Sequence, residues 1–138
     1  MKTFAIASTV LAAAALAGSA GAVTPTQHRV TIRHQVQHCH SWSVDNGPFR
    51  AHLDVSLPVG GTLTLTNNDV MSHRLIQQSG PRAVLHGSPA LAHIGATLKV
   101  TFPRAGAYRF TTKAGEDYMK GVKTTGEDNV LTMSVVVR

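Results

Sequence analysis

The chain has 138 residues, a formal net charge of +6, 43% hydrophobic residues and a single cysteine. This length suits one small domain with its own hydrophobic core, and a single cysteine excludes a disulfide within the chain. The basic residues are scattered, with no run of Lys and Arg between aromatic residues, so the sequence does not indicate nucleic-acid binding. The 8 histidines outnumber the 7 carboxylates, which directs attention to metal binding.

The N-terminal segment is typical of a secretory signal peptide. Lys2 gives a positive start, Phe4–Leu16 is apolar, and Ala20–Ala22 offers small residues for cleavage after Ala22. The apolar part is shorter than the ~20 residues of a membrane span. We therefore expect residues 1–22 to be removed and residues 23–138 to form one secreted or periplasmic domain. No later stretch of the sequence is apolar enough to cross a bilayer.

Alternation of apolar and polar residues along the rest of the chain predicts seven or eight short strands and no helix. The predicted strands are Arg29–Gln37, Phe49–Leu57, Thr62–Thr66, a run that begins near His73, Thr97–Phe102, Ala107–Thr112 and Val130–Val137. Asp45–Pro48 predicts a tight turn, and Ser79–Pro89 predicts a long irregular connection. This pattern is typical of an all-β sandwich with Greek-key connections.

The stretch Leu57–His73 places a turn, an alternating strand, an Asn-Asp loop and a histidine in one order. It resembles the cupredoxin (plastocyanin/azurin-like) family, in which a turn, a T-x-T-x-T-N strand, an N-D loop and a histidine supply the first copper ligand. The resemblance implies a cupredoxin-like sandwich and assigns His73 as a copper ligand.

The resemblance continues in the C-terminal half, where Phe102, Gly106, Tyr108 and Phe110 follow the family pattern F-x-x-x-G-x-Y-x-Y/F. In the family this strand pair runs up to a copper-binding cysteine and then a histidine. Here Thr112 stands at the position of the cysteine, and the histidine is absent as well. Met119 before x-Gly preserves the weak axial ligand, so two of the four usual ligands are missing.

The missing ligand types occur after the first strand, in the segment Gln37–Trp42. In the cupredoxin fold this loop lies beside the site, so the resemblance implies a variant copper site of Cys39, His40, His73 and Met119. Cys39 and His40 share one metal only if the strand has broken into loop, because neighbouring strand residues point to opposite faces. Weaker candidates are His38, Met71 and His93. We expect the remaining histidines at the surface, namely His28, His34, His52 and His86.

These observations favour an exported copper protein acting in electron transfer or copper carriage, with a redox or copper-delivery protein as partner. The alternative is a metal-free module of the same fold that binds a protein partner in the cell envelope, with Cys39 as an inert buried residue. The sequence contains no motif of hydrolytic catalysis, so we do not expect an enzyme.

Overall fold

The computed structural model describes residues 26–34, 40–114 and 130–138 and forms ten β-strands over these ranges. The strands are β1 (Gln27–His34), β2 (His40–Val44), β3 (His52–Leu57), β4 (Thr62–Asn68), β5 (His73–Ser79), β6 (Val84–His86), β7 (Ala90–Leu91), β8 (Thr97–Thr101), β9 (Gly106–Ala114) and β10 (Leu131–Val137). None of the described ranges contains a helix that is long and apolar enough to cross a membrane. The predicted all-β architecture is confirmed.

The strands form two five-stranded sheets that share one hydrophobic cluster. The first sheet has the order β2-β1-β4-β8-β6, and the second has the order β3-β10-β9-β5-β7. The pairs β1/β4 and β3/β10 are parallel, and the other neighbours are antiparallel. Val30 and Leu63 of the first sheet lie in the same buried cluster as Val55 and Phe110 of the second. The domain is therefore a sandwich of two mixed sheets.

The alternation read from the sequence corresponds to burial in the long strands. In β3, Leu53, Val55 and Leu57 are buried and the residues between them are exposed. Each such side chain contributes about 1.5–3 kcal/mol when it is fully removed from water. Three strands are additional to those listed from the sequence: β2, β6 and β7. β6 and β7 have 3 and 2 residues, which is too short for alternation to reveal them.

The aromatic residues of the C-terminal motif form part of the core. Phe102 packs edge-to-face on Tyr108, with ring centroids 4.9 Å apart, and on Phe110 at 6.0 Å. The Tyr108 hydroxyl donates a hydrogen bond of 2.7 Å to the Arg104 carbonyl, which fixes the turn before β9. This part of the motif is thus explained by packing.

Strand β2 corrects the prediction that His40–Trp42 belongs to a loop. All residues of β2 except Val44 are buried, and its backbone pairs with β1 on one side. On the other side, Trp42 exchanges two backbone hydrogen bonds of 3.0 Å with Arg50, just before β3. Because both faces of β2 are covered, its burial does not alternate, and its two apolar residues, Trp42 and Val44, are too few for periodicity to reveal the strand.

The turn after β2 is the one that the sequence predicts. Asp45 and Asn46 have positive φ angles of 49° and 60°, and the Gly47 amide donates to the Val44 carbonyl at 2.8 Å. Asp and Asn tolerate this conformation better than other residues with a side chain. The turn fixes the end of β2 that lies farthest from His40.

Candidate metal centre

The candidate centre lies where strands of the two sheets meet at one end of the sandwich. His34 ends β1 and His40 begins β2, and the register places these two residues directly opposite each other. Since β1 runs parallel to β4, with Arg33 beside Asn68, the loop after β4 arrives at the same end. That loop leads into β5, which begins at His73.

Asp69 connects the histidines of this end. Its Oδ2 lies 2.6 Å from Nδ1 of His40 and 3.1 Å from Nε2 of His73. Its Oδ1 lies 3.7 Å from Nδ1 of His34, which is too long for a direct hydrogen bond. The His40 and His73 rings are nearly perpendicular, at 88°, with centroids 4.9 Å apart. One carboxylate therefore holds two imidazoles together.

The carboxylate of Asp69 is buried but ionised. Burial alone would raise the pKa of Asp69, because an ionised carboxylate loses its hydration. Hydrogen bonds from the His40 and His73 rings, followed by the Met71 amide, outweigh burial and hold that pKa well below its ordinary value. At neutral pH the side chain is therefore an anion that only accepts hydrogen bonds.

Each of the two buried histidines has a second ring nitrogen without a partner among the described residues. These atoms are Nε2 of His40 and Nδ1 of His73, on rings that are almost fully buried. A buried polar atom without a partner costs about 1–3 kcal/mol. Two imidazole nitrogens whose opposite nitrogens are fixed by a carboxylate match the ligand arrangement of metal-binding histidines. The chemistry of the pair fits copper, zinc or nickel.

A second donor group faces the carboxylate itself. One ligand atom each from His34, His40 and Asp69 lies within 4.8 Å of the others. His34 is the exposed member, with 45% of its side chain accessible, whereas Asp69 is completely buried. A cation at this position would replace hydrogen bonds that already satisfy Asp69, so the two unpartnered nitrogens are the better candidate ligands.

Asn67 holds the loop that carries the carboxylate. Its side-chain amide donates to the carbonyls of Met71 and Leu91 at 2.8 and 2.9 Å, and its Oδ1 accepts from the Asp69 amide at 2.9 Å. The Met71 amide in turn donates to Oδ1 of Asp69 at 3.0 Å. Asn67 is fully buried, so the loop 67–71 is fixed from inside the protein.

The structure brings together two of the four predicted ligands, His40 and His73. Met71 is also buried, in the loop between β4 and β5, and is not a member of the main hydrophobic cluster. His93 is exposed, and its Nδ1 lies 3.0 Å from the Ile94 carbonyl. The other predicted residues lie outside the described residues, namely His38, Cys39 and Met119.

Sequence reasoning missed Asp69 and did not place His34 beside it. The prediction of a surface position for His34 is confirmed, since 45% of its side chain is exposed, although its Nδ1 lies 3.7 Å from the buried Asp69 carboxylate. A signal for His34 existed, since it continues the inward face of Val30 and Ile32 with a period of two. No local signal distinguishes Asp69 from an exposed turn aspartate, because its burial depends on β1 and β2.

Of the two positions where the family pattern has a cysteine and a histidine, the structure describes only the first, Thr112. Thr112 is buried in β9, and its register partners are Leu75 and Leu131, so it belongs to the packed sheet. Gly115, where the family histidine would fall, lies outside the described residues.

Comparison with known proteins gives structural likenesses only. No model of a known protein family matches the chain, and no curated protein matches it. Similar solved structures include a purple cupredoxin from Nitrosopumilus maritimus, 21% identical, covering 80% of this chain and 98% of that chain, with a TM-score of 0.45. A mutant amicyanin in the Cu(I) state is 20% identical over 78% of this chain and 80% of its own, with a TM-score of 0.41. A cysteine protease inhibitor from Entamoeba histolytica is 10% identical over 82% and 97%, with a TM-score of 0.42.

At these identities and TM-scores, the likenesses assign neither a family nor a function to the chain. The functional argument therefore depends on the side chains at the centre.

Proposed function

We propose that this protein is an exported, cupredoxin-like copper-binding protein that acts in electron transfer or copper carriage. The observation that carries the proposal is the pair of buried, unpartnered ring nitrogens, Nε2 of His40 and Nδ1 of His73. Asp69 fixes the opposite nitrogen of each ring, as a carboxylate does behind metal-binding histidines. His40 and His73 would hold the metal.

Soft ligands near these histidines favour copper over other metals. Cys39 precedes His40 directly in the sequence, and Met71 is buried two residues before His73. Thiolate and thioether ligands select copper, particularly Cu(I), whereas imidazoles alone do not distinguish it from zinc. The resemblance of Leu57–His73 to the cupredoxin pattern supports the same choice, and the C-terminal part of that resemblance adds Met119 as the axial ligand.

Burial of the centre favours electron transfer over carriage. The exposed fractions of His40 and His73 are 1% and 2%. The ring nitrogens that would bind the metal therefore lie in a packed environment with little access to water. Copper in such a site supplies one-electron oxidation and reduction. The protein's own residues exclude water and hold the ligand rings through Asp69. This role is non-enzymatic and requires a redox or copper-delivery protein as partner.

The proposed location follows from the sequence. Residues 1–22 are proposed as a signal peptide, and residues 23–138 as the exported domain, secreted or periplasmic.

Copper binding is tested on the mature chain by adding Cu(II) and recording the visible spectrum. If Cys39 binds as thiolate, we expect strong absorption from sulfur-to-copper charge transfer. Cys39→Ser removes this band, because a hydroxyl is harder and less easily oxidised than a thiolate. Thiol titration should find Cys39 reactive in the metal-free protein and protected after copper is added.

Matched variants locate the histidine ligands. We expect His73→Ala to lower copper affinity more than about 100-fold, above the 10–100-fold typical of lost outer-shell contacts. His86→Ala serves as control, because His86 is exposed and bonded to the Thr101 hydroxyl at 3.0 Å. Thr112→Ala should also leave affinity unchanged, since a neutral hydroxyl is a poor ligand for a soft metal.

A wild-type protein that takes up no copper contradicts the proposal and favours the metal-free binding module. Unchanged affinity in His73→Ala removes His73 from the site. A copper protein without the visible band, whose spectrum Cys39→Ser does not alter, has a site of histidine and methionine only.

A further inference from the structure

We propose that Asp69 is the positioning residue of the centre, because it holds His40 and His73 in opposite tautomers and so directs one lone pair from each ring away from itself. The tautomers are assigned for the metal-free protein. The further claim, that these tautomers favour copper binding, rests on the function proposed above. No part of the inference requires Asp69 to touch the metal.

The tautomers follow from the geometry of the contacts between one oxygen of the Asp69 carboxylate and a nitrogen of each ring. The Asp69 carboxylate can only accept hydrogen bonds, so each ring nitrogen in contact with its Oδ2 must carry a hydrogen. These nitrogens are Nδ1 of His40, at 2.6 Å, and Nε2 of His73, at 3.1 Å. In a neutral imidazole the other nitrogen then has a free lone pair. His40 is therefore protonated on Nδ1 and His73 on Nε2.

The free lone pairs are the atoms that lack partners. Nε2 of His40 and Nδ1 of His73 are both buried, and neither has a hydrogen-bond partner among the described residues. If both rings were doubly protonated instead, two buried N–H donors would be left unsatisfied beside a single negative charge. The arrangement of opposite tautomers leaves two acceptors, which are what a metal ion requires.

The hydrogen-bond partners of Asp69 determine how Asn would sit in its place. Oδ1 accepts the Met71 amide at 3.0 Å, so this position must remain an oxygen. In Asp69→Asn the amide nitrogen therefore takes the position of Oδ2 and donates toward His40 and His73. Both rings must then accept, and their protons move to Nε2 of His40 and Nδ1 of His73.

The first experiment measures the tautomers without any metal. Long-range 1H–15N correlation spectra of the metal-free protein distinguish protonated from unprotonated ring nitrogens, at about pH 8, above the ordinary histidine range. We expect protonated Nδ1 in His40 and protonated Nε2 in His73, with both reversed in Asp69→Asn. Asp45→Asn is the matched control, because Asp45 also contacts a histidine and a backbone amide, but at the surface.

The second experiment measures copper affinity in the same variants. We expect Asp69→Asn to bind copper about 10–100-fold more weakly, the loss usual for outer-shell partners, and Asp45→Asn to bind like wild type. Circular dichroism of the metal-free variants checks that both are folded.

The wild-type spectra decide the inference even if Asp69→Asn does not fold. The same tautomer in both wild-type rings overturns it, as does a folded Asp69→Asn variant that keeps the wild-type tautomers. Unaltered tautomers with complete loss of copper would make Asp69 a ligand, which also overturns it. A wild-type protein with opposite tautomers but no copper binding refutes the proposed function and leaves the positioning of the rings by Asp69 supported.

Discussion

The hairpin of β1 and β2 carries an aspartate–histidine contact at each end, and the two differ in burial. At one end, the Asp45 side chain contacts Nδ1 of His28, with 49% and 27% of the two side chains exposed. At the other end, Asp69 contacts His40 with 0% and 1% exposed. Both aspartates also accept a backbone amide through the second oxygen.

The difference shows that burial makes one of these contacts a candidate site. Water can reach the partly exposed His28–Asp45 pair, and such a surface contact contributes only about 0–1 kcal/mol. At the His40–Asp69 end, the second ring nitrogen of His40 is buried and has no hydrogen-bond partner among the described residues. The same pair of residue types is therefore a surface contact at one end and part of a candidate metal centre at the other.

The largest expected effect comes from removing one histidine at each end. His40→Ala should lower copper affinity more than about 100-fold, because a ligand and not only an outer-shell partner is lost. His28→Ala should leave affinity unchanged, since His28 lies at the opposite end of the hairpin. Equilibrium titration with copper compares the two variants, and equal affinities would contradict the placement of the site.

The buried end should also depend more strongly on its supporting loop. Asn67→Ala removes three side-chain hydrogen bonds at buried positions and should lower the free energy of unfolding by about 3 kcal/mol or more, at about 1–3 kcal/mol per unsatisfied group. Asn68→Ala, at the exposed neighbouring position, should change it by less than about 0.5 kcal/mol. Urea denaturation of the metal-free proteins measures both. A small loss in Asn67→Ala would mean that water replaces the amide.

A smaller effect is expected for His34, the exposed histidine at the buried end. His34→Ala should reduce copper affinity less than about tenfold. Loss of an outer-shell residue that is hydrogen-bonded to a ligand typically costs about 10–100-fold. The effect of His34 should be smaller, because its Nδ1 lies 3.7 Å from Oδ1 of Asp69 and makes no direct hydrogen bond to it. The same copper titration tests this. A loss as large as that of His40→Ala would place the metal among His34, His40 and Asp69 instead.

The smallest expected effect is the pH dependence of the exposed contact. The pKa of Asp45 is lowered, mainly by the hydrogen bond that its carboxylate accepts from the Arg29 amide. Desolvation opposes this shift, and the contact with His28 adds to it. A lowered pKa stabilises the fold above the unfolded-state value of about 3.9, and the contribution disappears as pH falls through the folded-state pKa. Unfolding of wild type and Asp45→Asn across this range should show a small difference that shrinks toward acid. A difference that grows toward acid would contradict the direction of the shift.

The sequence by itself determined the strands that have one face in the hydrophobic core and the other face toward solvent. Alternation in β3, β4 and β10 gave correct strands, because every second side chain enters the core while its neighbours meet water. The turn at Asp45 and Asn46 was also readable, since few residues adopt positive φ angles. The order of strand, Asn-Asp loop and histidine, through its resemblance to the cupredoxin pattern, predicted His73 as a ligand, and the structure places its ring beside Asp69.

Only the tertiary structure decided which polar residues are buried. β2 has both faces covered, so its polar residues are buried as well, and its local sequence does not mark His40 as a buried residue. Asp69 has the local sequence of an ordinary turn residue, yet the parallel pairing of β1 with β4 brings it beside histidines 29 residues before it and 4 residues after it. The burial of a polar side chain depends on residues that are distant in the chain, and local sequence carries no signal of them.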